Sequence, residues 1–148
     1  MKLALGCDHG GFELMQKVKA HLDAKGIEYF DYGTYSTESC DYPIFAEAAA
    51  NAVASGECDL GILICGTGIG ISISANKVKG IRAALCSDCF SAEMTRRHND
   101  ANILCMGARV LGEGLALKIV DTFLGESFDG GRHAKRVALI HEIESRQV

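Results

Sequence analysis

The chain has 148 residues, of which 48% are hydrophobic and 23% charged, and its formal net charge is −4. These values predict a single globular domain spanning residues 1–148, and the acidic balance argues against nucleic acid or an acidic membrane surface as a partner. The N-terminus lacks a signal-peptide pattern and no apolar run approaches the ~18 residues of a membrane helix, so we expect a cytoplasmic protein.

Strand-like and helix-like segments alternate along the whole chain. The predicted strands cover residues 2–7, 27–32, 59–65, 81–86 and 103–107. A helix is predicted after each strand. The residues that mark the ends of these helices are Gly26 after the first helix, Pro43 and Gly56 at the start and end of the second, Lys77 near the end of the third, Ser87 or Asp88 as N-cap of the fourth, and Gly125 after the fifth. A last helix is predicted over about 131–146. These repeated βα units predict a parallel sheet with helices on both faces.

Ligands in such sheets bind outside the carboxyl ends of the strands. Asp8 and His9, Cys65 with its glycines, and residues 86–88 all follow predicted strands and therefore fall at that edge. Their convergence predicts the position of the functional site.

Three glycines alternate directly after the apolar strand that ends at Cys65. Gly66, Gly68 and Gly70 let backbone N–H groups crowd around a negative oxygen, and a helix predicted to begin there adds its positive end. We interpret the loop as an oxyanion or phosphate cradle. The alternatives are a turn needed only for packing and a dinucleotide fingerprint. The second is disfavoured by GxGxG spacing and the absence of an acidic residue about 20 positions later.

Cys65 is a candidate general base. A helix N-terminus favours the thiolate, and the adjacent amides would stabilise an enediolate, a combination that suits proton abstraction beside a carbonyl. The alternative is a buried residue at a strand end. All seven cysteines are expected to be reduced thiols, because their odd number and wide spacing do not form a disulfide framework.

The segment 130–136 is basic where a helix is predicted to begin. Arg132 and Arg136 lie four residues apart and share one face, and an anion between them would offset their unfavourable position at a positive helix end. Arg109 beyond the fifth strand is a third candidate for phosphate. The alternative is a solvated charged face. His98, which follows Arg96 and Arg97, is a further candidate site residue. The alternative is an ordinary surface histidine.

Cys86 and Cys89 have CxxC spacing. Zinc sites normally need four ligands, usually a second such pair, and the chain has no second pair. Metal or redox function is therefore disfavoured, and we expect no metal.

Six motifs in chain order carry a resemblance to a known family. They are Gly6–Phe12, Asp41–Pro43, Ile64–Ser72, Ala75–Lys77, Arg97–Asp100 and Gly130–His133. Over essentially its whole length the chain resembles the ribose-5-phosphate isomerase B family, which also includes allose-6-phosphate isomerases and galactose-6-phosphate isomerase subunits. The resemblance implies a Rossmann-like, three-layer α/β/α sandwich with five parallel strands. It also implies a place in the pentose phosphate pathway.

The same resemblance implies roles for individual residues. Cys65 would be the base that moves a proton between C1 and C2 of ribose 5-phosphate and ribulose 5-phosphate, and His98 with Asp8 would open the furanose ring. The enediolate would be held by the Thr67 hydroxyl and the loop amides of Gly66, Thr67, Gly68, Ile69 and Gly70. Sugar or phosphate contacts would come from His9, Tyr42, Asn99, Arg109, Arg132, His133 and Arg136. One branch of the family uses a glutamate where this chain has Ile71, so the chain is predicted to be of the cysteine type.

The family resemblance further implies no cofactor and a homodimer or dimer of dimers with active sites shared between subunits. Apolar Val137, Ile140 and Ile143 on the last helix are predicted to pack on a neighbour. Two alternatives remain open, an isomerase of a phosphohexose such as allose 6-phosphate, and a non-catalytic sugar-phosphate-binding subunit.

Overall fold

The computed structural model describes residues 1–147 and contains one five-stranded sheet. The strands are β1 (Lys2–Cys7), β2 (Glu28–Asp31), β3 (Leu60–Cys65), β4 (Ala83–Leu85) and β5 (Ile103–Gly107). The helices are α1 (Phe12–Ala24), α2 (Tyr42–Ala54), α3 (Ile69–Ala75), α4 (Cys89–Asn99), α5 (Glu113–Gly125) and α6 (Arg132–Ser145). Every strand pair is parallel, in the order β2-β1-β3-β5-β4.

Two apolar layers confirm the predicted three-layer sandwich. On one face of the sheet the buried side chains of α1 and α5, with Ala92 of α4, pack against the strands. On the other face α2 and α3 do the same. The remaining helix, α6, packs on α4 and leaves most of its apolar residues exposed.

The structure corrects several local expectations. β4 begins at Ala83 rather than 81, because the N–H of Arg82 donates to Asn102 Oδ1 at 2.8 Å. Within α5 the buried residues are Ala116, Ile119, Val120 and Phe123, and Leu115 is exposed. Asp88, one of the two predicted caps, is the N-cap of α4 and accepts a hydrogen bond from the Ser91 amide.

Within residues 1–147, all seven cysteines are free thiols. None of the helices in that range combines the length and the apolar character that a membrane crossing demands.

Candidate active site

The switch point of the sheet lies between β1 and β3. From β1 the chain crosses to β2 on one side, and all later strands lie on the other side, so a crevice forms where the carboxyl ends of β1 and β3 diverge. Asp8 follows β1 and Cys65 ends β3. The two loops touch, since a Cβ added at Gly10 would lie 3.3 Å from the Gly66 nitrogen.

A backbone amide points at the sulfur of Cys65. The N–H of Gly68 donates to Cys65 Sγ at 3.1 Å, and the residue as a whole is only 4% exposed. Gly68 has φ +80°, a left-handed conformation that aims its amide back at the strand end. The loop packs closely against β5, because a Cβ added at Gly107 would lie 2.5 Å from the Thr67 carbonyl oxygen. The glycines at 68 and 107 thus hold the loop over the thiol.

The loop after that thiol offers a hydroxyl and two amides without a helical acceptor. The first helical hydrogen bond of α3 runs from the Ser72 N–H to the Gly68 oxygen at 3.2 Å, so the amides of Gly70 and Ile71 have no helical acceptor. Thr67 Oγ1 accepts from the Ile69 N–H at 3.2 Å. Because α3 has only seven residues, its dipole is smaller than the sequence interpretation assumed, and the local donors are the individual amides.

Four further predicted residues surround this loop. The Tyr42 ring lies on Gly70, where an added Cβ would be 2.5 Å from the ring, and the Arg109 guanidinium lies beside Gly66. His9 Nδ1 accepts the Cys40 N–H at 3.2 Å, which leaves Nε2 as the ring donor of a neutral imidazole. Asp8 is nearly buried, and its Oδ1 accepts the Gly11 N–H at 3.1 Å. We call this group the thiol half-site; its members are Asp8, His9, Tyr42, residues 65–70 and Arg109.

The other predicted residues lie at the opposite edge of the sheet. Helix α4 starts at the carboxyl end of β4 and runs back for 11 residues, about 16 Å, before β5 begins. Asn99 therefore lies at the amino ends of the strands, and its carbonyl accepts from Nε of Arg82, just before β4, at 3.0 Å. We call this group the histidine half-site; its members are His98, Asn99, Asp129, Arg132, His133 and Arg136.

The histidine half-site is organised around two imidazoles. The rings of His98 and His133 stack with centroids 4.1 Å apart and planes 8° from parallel. Arg132 and Arg136 are exposed, and neither forms an ion pair with a carboxylate of residues 1–147. Asp129, which the sequence interpretation missed, lies beside both imidazoles. It falls in an irregular loop, where no periodicity marks it.

Two cavities border the half-sites. A cavity of about 390 Å³ borders Gly10 and Arg109 without reaching Cys65. A larger one of about 730 Å³ lies at the amino edge between β4 and α6.

Cys86, the first thiol of the CxxC pair, is buried just after β4. Burial, and then the nearby Asp88 carboxylate, raise the pKa of Cys86 to about 11, whereas redox-active thiols have lowered pKa values. Asp88 between the two cysteines acts as a helix cap. Cys86 belongs to the core under α4, and Cys89 packs against that core.

A thiol that accepts a backbone amide, with the Arg109 guanidinium beside its loop, lies at a Rossmann-like switch point and suits an enzyme of the sugar-phosphate aldose–ketose isomerase class. The chain belongs to the Ribose/Galactose Isomerase family, whose sequence model matches residues 3–140. It is 55% identical to ribose-5-phosphate isomerase B of Escherichia coli, over 99% of this chain and 98% of that protein.

Two solved structures extend the comparison. Ribose-5-phosphate isomerase B of Clostridium thermocellum superposes with a TM-score of 0.98 at 57% identity, over 99% of both chains. The enzyme of Mycoplasma genitalium, solved with bound ribulose 5-phosphate, has a TM-score of 0.95 at 39% identity, over 99% of this chain and 97% of that one.

Proposed function

We propose that this chain interconverts D-ribose 5-phosphate and D-ribulose 5-phosphate through a cis-enediolate, with Cys65 as the base. The observation that carries the proposal is the Gly68 amide donating to Cys65 Sγ at 3.1 Å at the switch point. A donor beside a sulfur stabilises its thiolate form, and a thiolate next to open amides suits proton abstraction beside a carbonyl. The identity with the Escherichia coli enzyme supports the pentose phosphate as substrate.

The Cys65 thiolate removes the proton from C2 of the open-chain aldose, and the electron pair moves through C1 to the carbonyl oxygen O1. Amides of Gly70 and Ile71, with the Thr67 hydroxyl, stabilise the charge that develops on that oxygen. The Cys65 thiol returns its proton to C1, and the proton of the C2 hydroxyl passes to O1. The ketose therefore contains the same atoms as the aldose.

The active site would form between two copies of the chain, one lending its thiol half-site and the other its histidine half-site. In a furanose 5-phosphate the ring oxygen O4 is four bonds from phosphorus. His98 at the ring oxygen and Arg132 with Arg136 at the phosphate therefore suit adjacent parts of one substrate. C1 and C2 then face Cys65 of the other copy. A hexose 6-phosphate has one more carbon between its reacting carbons, C1 and C2, and its phosphate. The distance between the two half-sites would therefore decide whether the enzyme prefers a pentose phosphate or a hexose phosphate.

Exposed apolar residues support the assembly of two copies. Ile69 and Ile73 on α3, and Ile140 and Ile143 on α6, are each at least 44% exposed. Apolar surface of this kind favours association. In a twofold dimer the thiol half-site of each copy would meet the histidine half-site of the other, which gives two equivalent active sites. The predicted packing of the last helix on a neighbour belongs to this proposal.

The assignment of the base is tested by Cys65→Ala, with Cys89→Ala as a cysteine control outside the site. We expect Cys65→Ala to lower kcat by at least about a hundredfold while calorimetry shows binding of ribulose 5-phosphate within a few-fold of the unmodified protein, because the thiol acts on a proton. Cys89→Ala should retain activity. Turnover by Cys65→Ala within a few-fold of the unmodified protein would contradict the assignment.

The substrate is tested by comparing kcat/KM for ribose 5-phosphate and allose 6-phosphate. We expect the pentose phosphate to be preferred; the reverse order would indicate a phosphohexose isomerase, and binding without turnover would indicate a non-catalytic subunit.

Arg132→Ala and Arg136→Ala should each raise KM by about tenfold or more, since each removes a charged phosphate ligand. Arg146→Ala, which removes an exposed arginine at the far end of α6, should leave KM unchanged.

The shared site is tested by mixing two inactive variants, Cys65→Ala and His98→Asn, after dissociation and reassociation. A mixed dimer contains one site with both native residues and one site with neither. Random reassortment at equal amounts should therefore restore about a quarter of the native activity. If each chain carries its own complete site, mixing restores nothing.

A further inference from the structure

Two imidazoles and a carboxylate meet at the histidine half-site, where the ligand atoms of His98, Asp129 and His133 all lie within 4.8 Å of one another. A metal ion bound by an imidazole lies near the plane of the ring, along the nitrogen lone pair. The two rings are stacked in nearly parallel planes, so one ion cannot lie in both. The arrangement instead favours contact between the two ring faces.

The position of His133 is fixed by a clamp on the end of α4. The Asp129 N–H donates to the Arg97 carbonyl at 2.9 Å, and Arg97 Nε donates to Asp129 Oδ1 at 3.3 Å. Arg97 is itself held by Glu93 at 2.8 Å. This clamp joins the loop before α6 to the last turn of α4, and His133 in the first turn of α6 thereby reaches the His98 ring.

We infer that His133 is a positioning residue, which holds the His98 ring by stacking so that His98 can open the sugar ring, and is not itself a phosphate ligand. This inference rests on the proposed function and deepens it. Ring opening breaks the bond between C1 and O4, releases the proton of the C1 hydroxyl and delivers a proton to O4. A group that exchanges both protons must be held at a defined angle to the sugar.

The charges around His133 agree with this role. Burial lowers the pKa of His133, and the neighbouring His98, Arg132 and Arg136 lower it further, while Asp129 opposes them. A ring with a lowered pKa is mostly neutral near pH 7, and a neutral imidazole attracts a phosphate dianion far less than a guanidinium does. It also stacks on His98 without the repulsion of two cations.

The experiment uses two reactions of the same enzyme that differ in their need for ring opening. Ribose 5-phosphate is cyclic and must be opened, whereas ribulose 5-phosphate stays acyclic because the hydroxyl that would close its ring carries the phosphate. Exchange of a C1 proton of ribulose 5-phosphate with deuterium oxide, followed by NMR, therefore requires Cys65 and phosphate binding but no ring opening. Both this exchange and the turnover of ribose 5-phosphate are measured for each variant.

His133→Ala should lower the turnover of ribose 5-phosphate by about tenfold to a hundredfold and leave the deuterium exchange within about threefold. His133→Phe, which keeps a flat ring to stack on His98, should recover most of the lost turnover. Arg136→Ala should raise KM in both reactions, as a phosphate ligand must. Lys135→Ala, a neighbouring exposed cation, should change neither.

Equal losses in both reactions with a raised KM for His133→Ala would overturn the inference in favour of a phosphate ligand. So would a His133→Phe protein as impaired as His133→Ala, provided both unfold at the urea midpoint of the native protein. A failure of the proposed function is seen separately, as native protein that does not turn over ribose 5-phosphate or Cys65→Ala that exchanges deuterium at the native rate.

Discussion

Replacing Gly68 by alanine tests how the loop is held over the thiol. Gly68 has φ +80°, and a left-handed conformation costs a residue with a side chain about 1–2 kcal/mol. The added Cβ would also lie 2.5 Å from Leu85 Cδ1, 2.7 Å from the Met106 carbonyl carbon and 3.0 Å from the Gly107 nitrogen. Two of these atoms are backbone of β5 and cannot rotate away, so overpacking adds about 1–3 kcal/mol. The expected destabilisation is therefore about 2–5 kcal/mol in total.

Gly56→Ala is the matched control. Gly56 has φ +82°, nearly the same as Gly68, but no atom lies within 4 Å of the position of its added Cβ. This variant should show only the conformational cost of about 1–2 kcal/mol. The free energies of unfolding are compared from urea titrations with a common slope.

The two variants should also differ in activity. Any movement of residue 68 displaces the amide that donates to Cys65 Sγ, so Gly68→Ala should lose kcat while Gly56→Ala retains it. Equal stability of the two proteins, or native kcat in Gly68→Ala, would refute this account of the loop.

Two further predictions concern thiols and helix capping. Burial raises the pKa of Cys7 to about 12 and that of Cys86 to about 11. Brief treatment of native protein with iodoacetamide at pH 8 should therefore leave both thiols unmodified, while half-buried Cys40 reacts. Peptide mass spectrometry that finds Cys86 alkylated before Cys40 would contradict this prediction. Hydrogen bonds from the Ser91 amide and hydroxyl lower the pKa of Asp88. A carboxylate whose pKa is lower in the folded state stabilises the protein at pH values above its unfolded pKa of about 3.9. That stabilisation disappears as the pH falls through the folded-state pKa. Asp88→Ala should thus lower the urea midpoint at pH 7 by an amount that shrinks below about pH 4; a difference independent of pH would exclude the cap carboxylate as its source.

The thiol half-site follows from sequence by two physical rules. The alternation of strands and helices predicts a parallel sheet, and parallel strands bring Asp8 and Cys65 to one edge whatever the strand order. Gly68, one of the glycines after Cys65, lies close to the backbone of β5, because an added Cβ would be 2.7 Å from the Met106 carbonyl carbon, whereas the predicted oxyanion cradle stays a prediction.

The histidine half-site could not be derived in the same way. The stack of His98 on His133 depends on how α6 docks on α4, and that docking is held by the contacts between Arg97 and Asp129, 32 residues apart. Local pattern carries no information on such a contact. The strand order, and with it the switch point, was likewise not predicted, because each crossover can pack a new strand on either side of the growing sheet.

The most direct measurement of the central claim is deuterium incorporation at C1 of ribulose 5-phosphate by the Cys65→Ala protein. It monitors the carbon-bound proton itself and is independent of ring opening and of the aldose product. With substrate binding confirmed by calorimetry, we predict incorporation at least about a hundredfold slower than in the native enzyme. Incorporation at the native rate would mean that another group removes the proton.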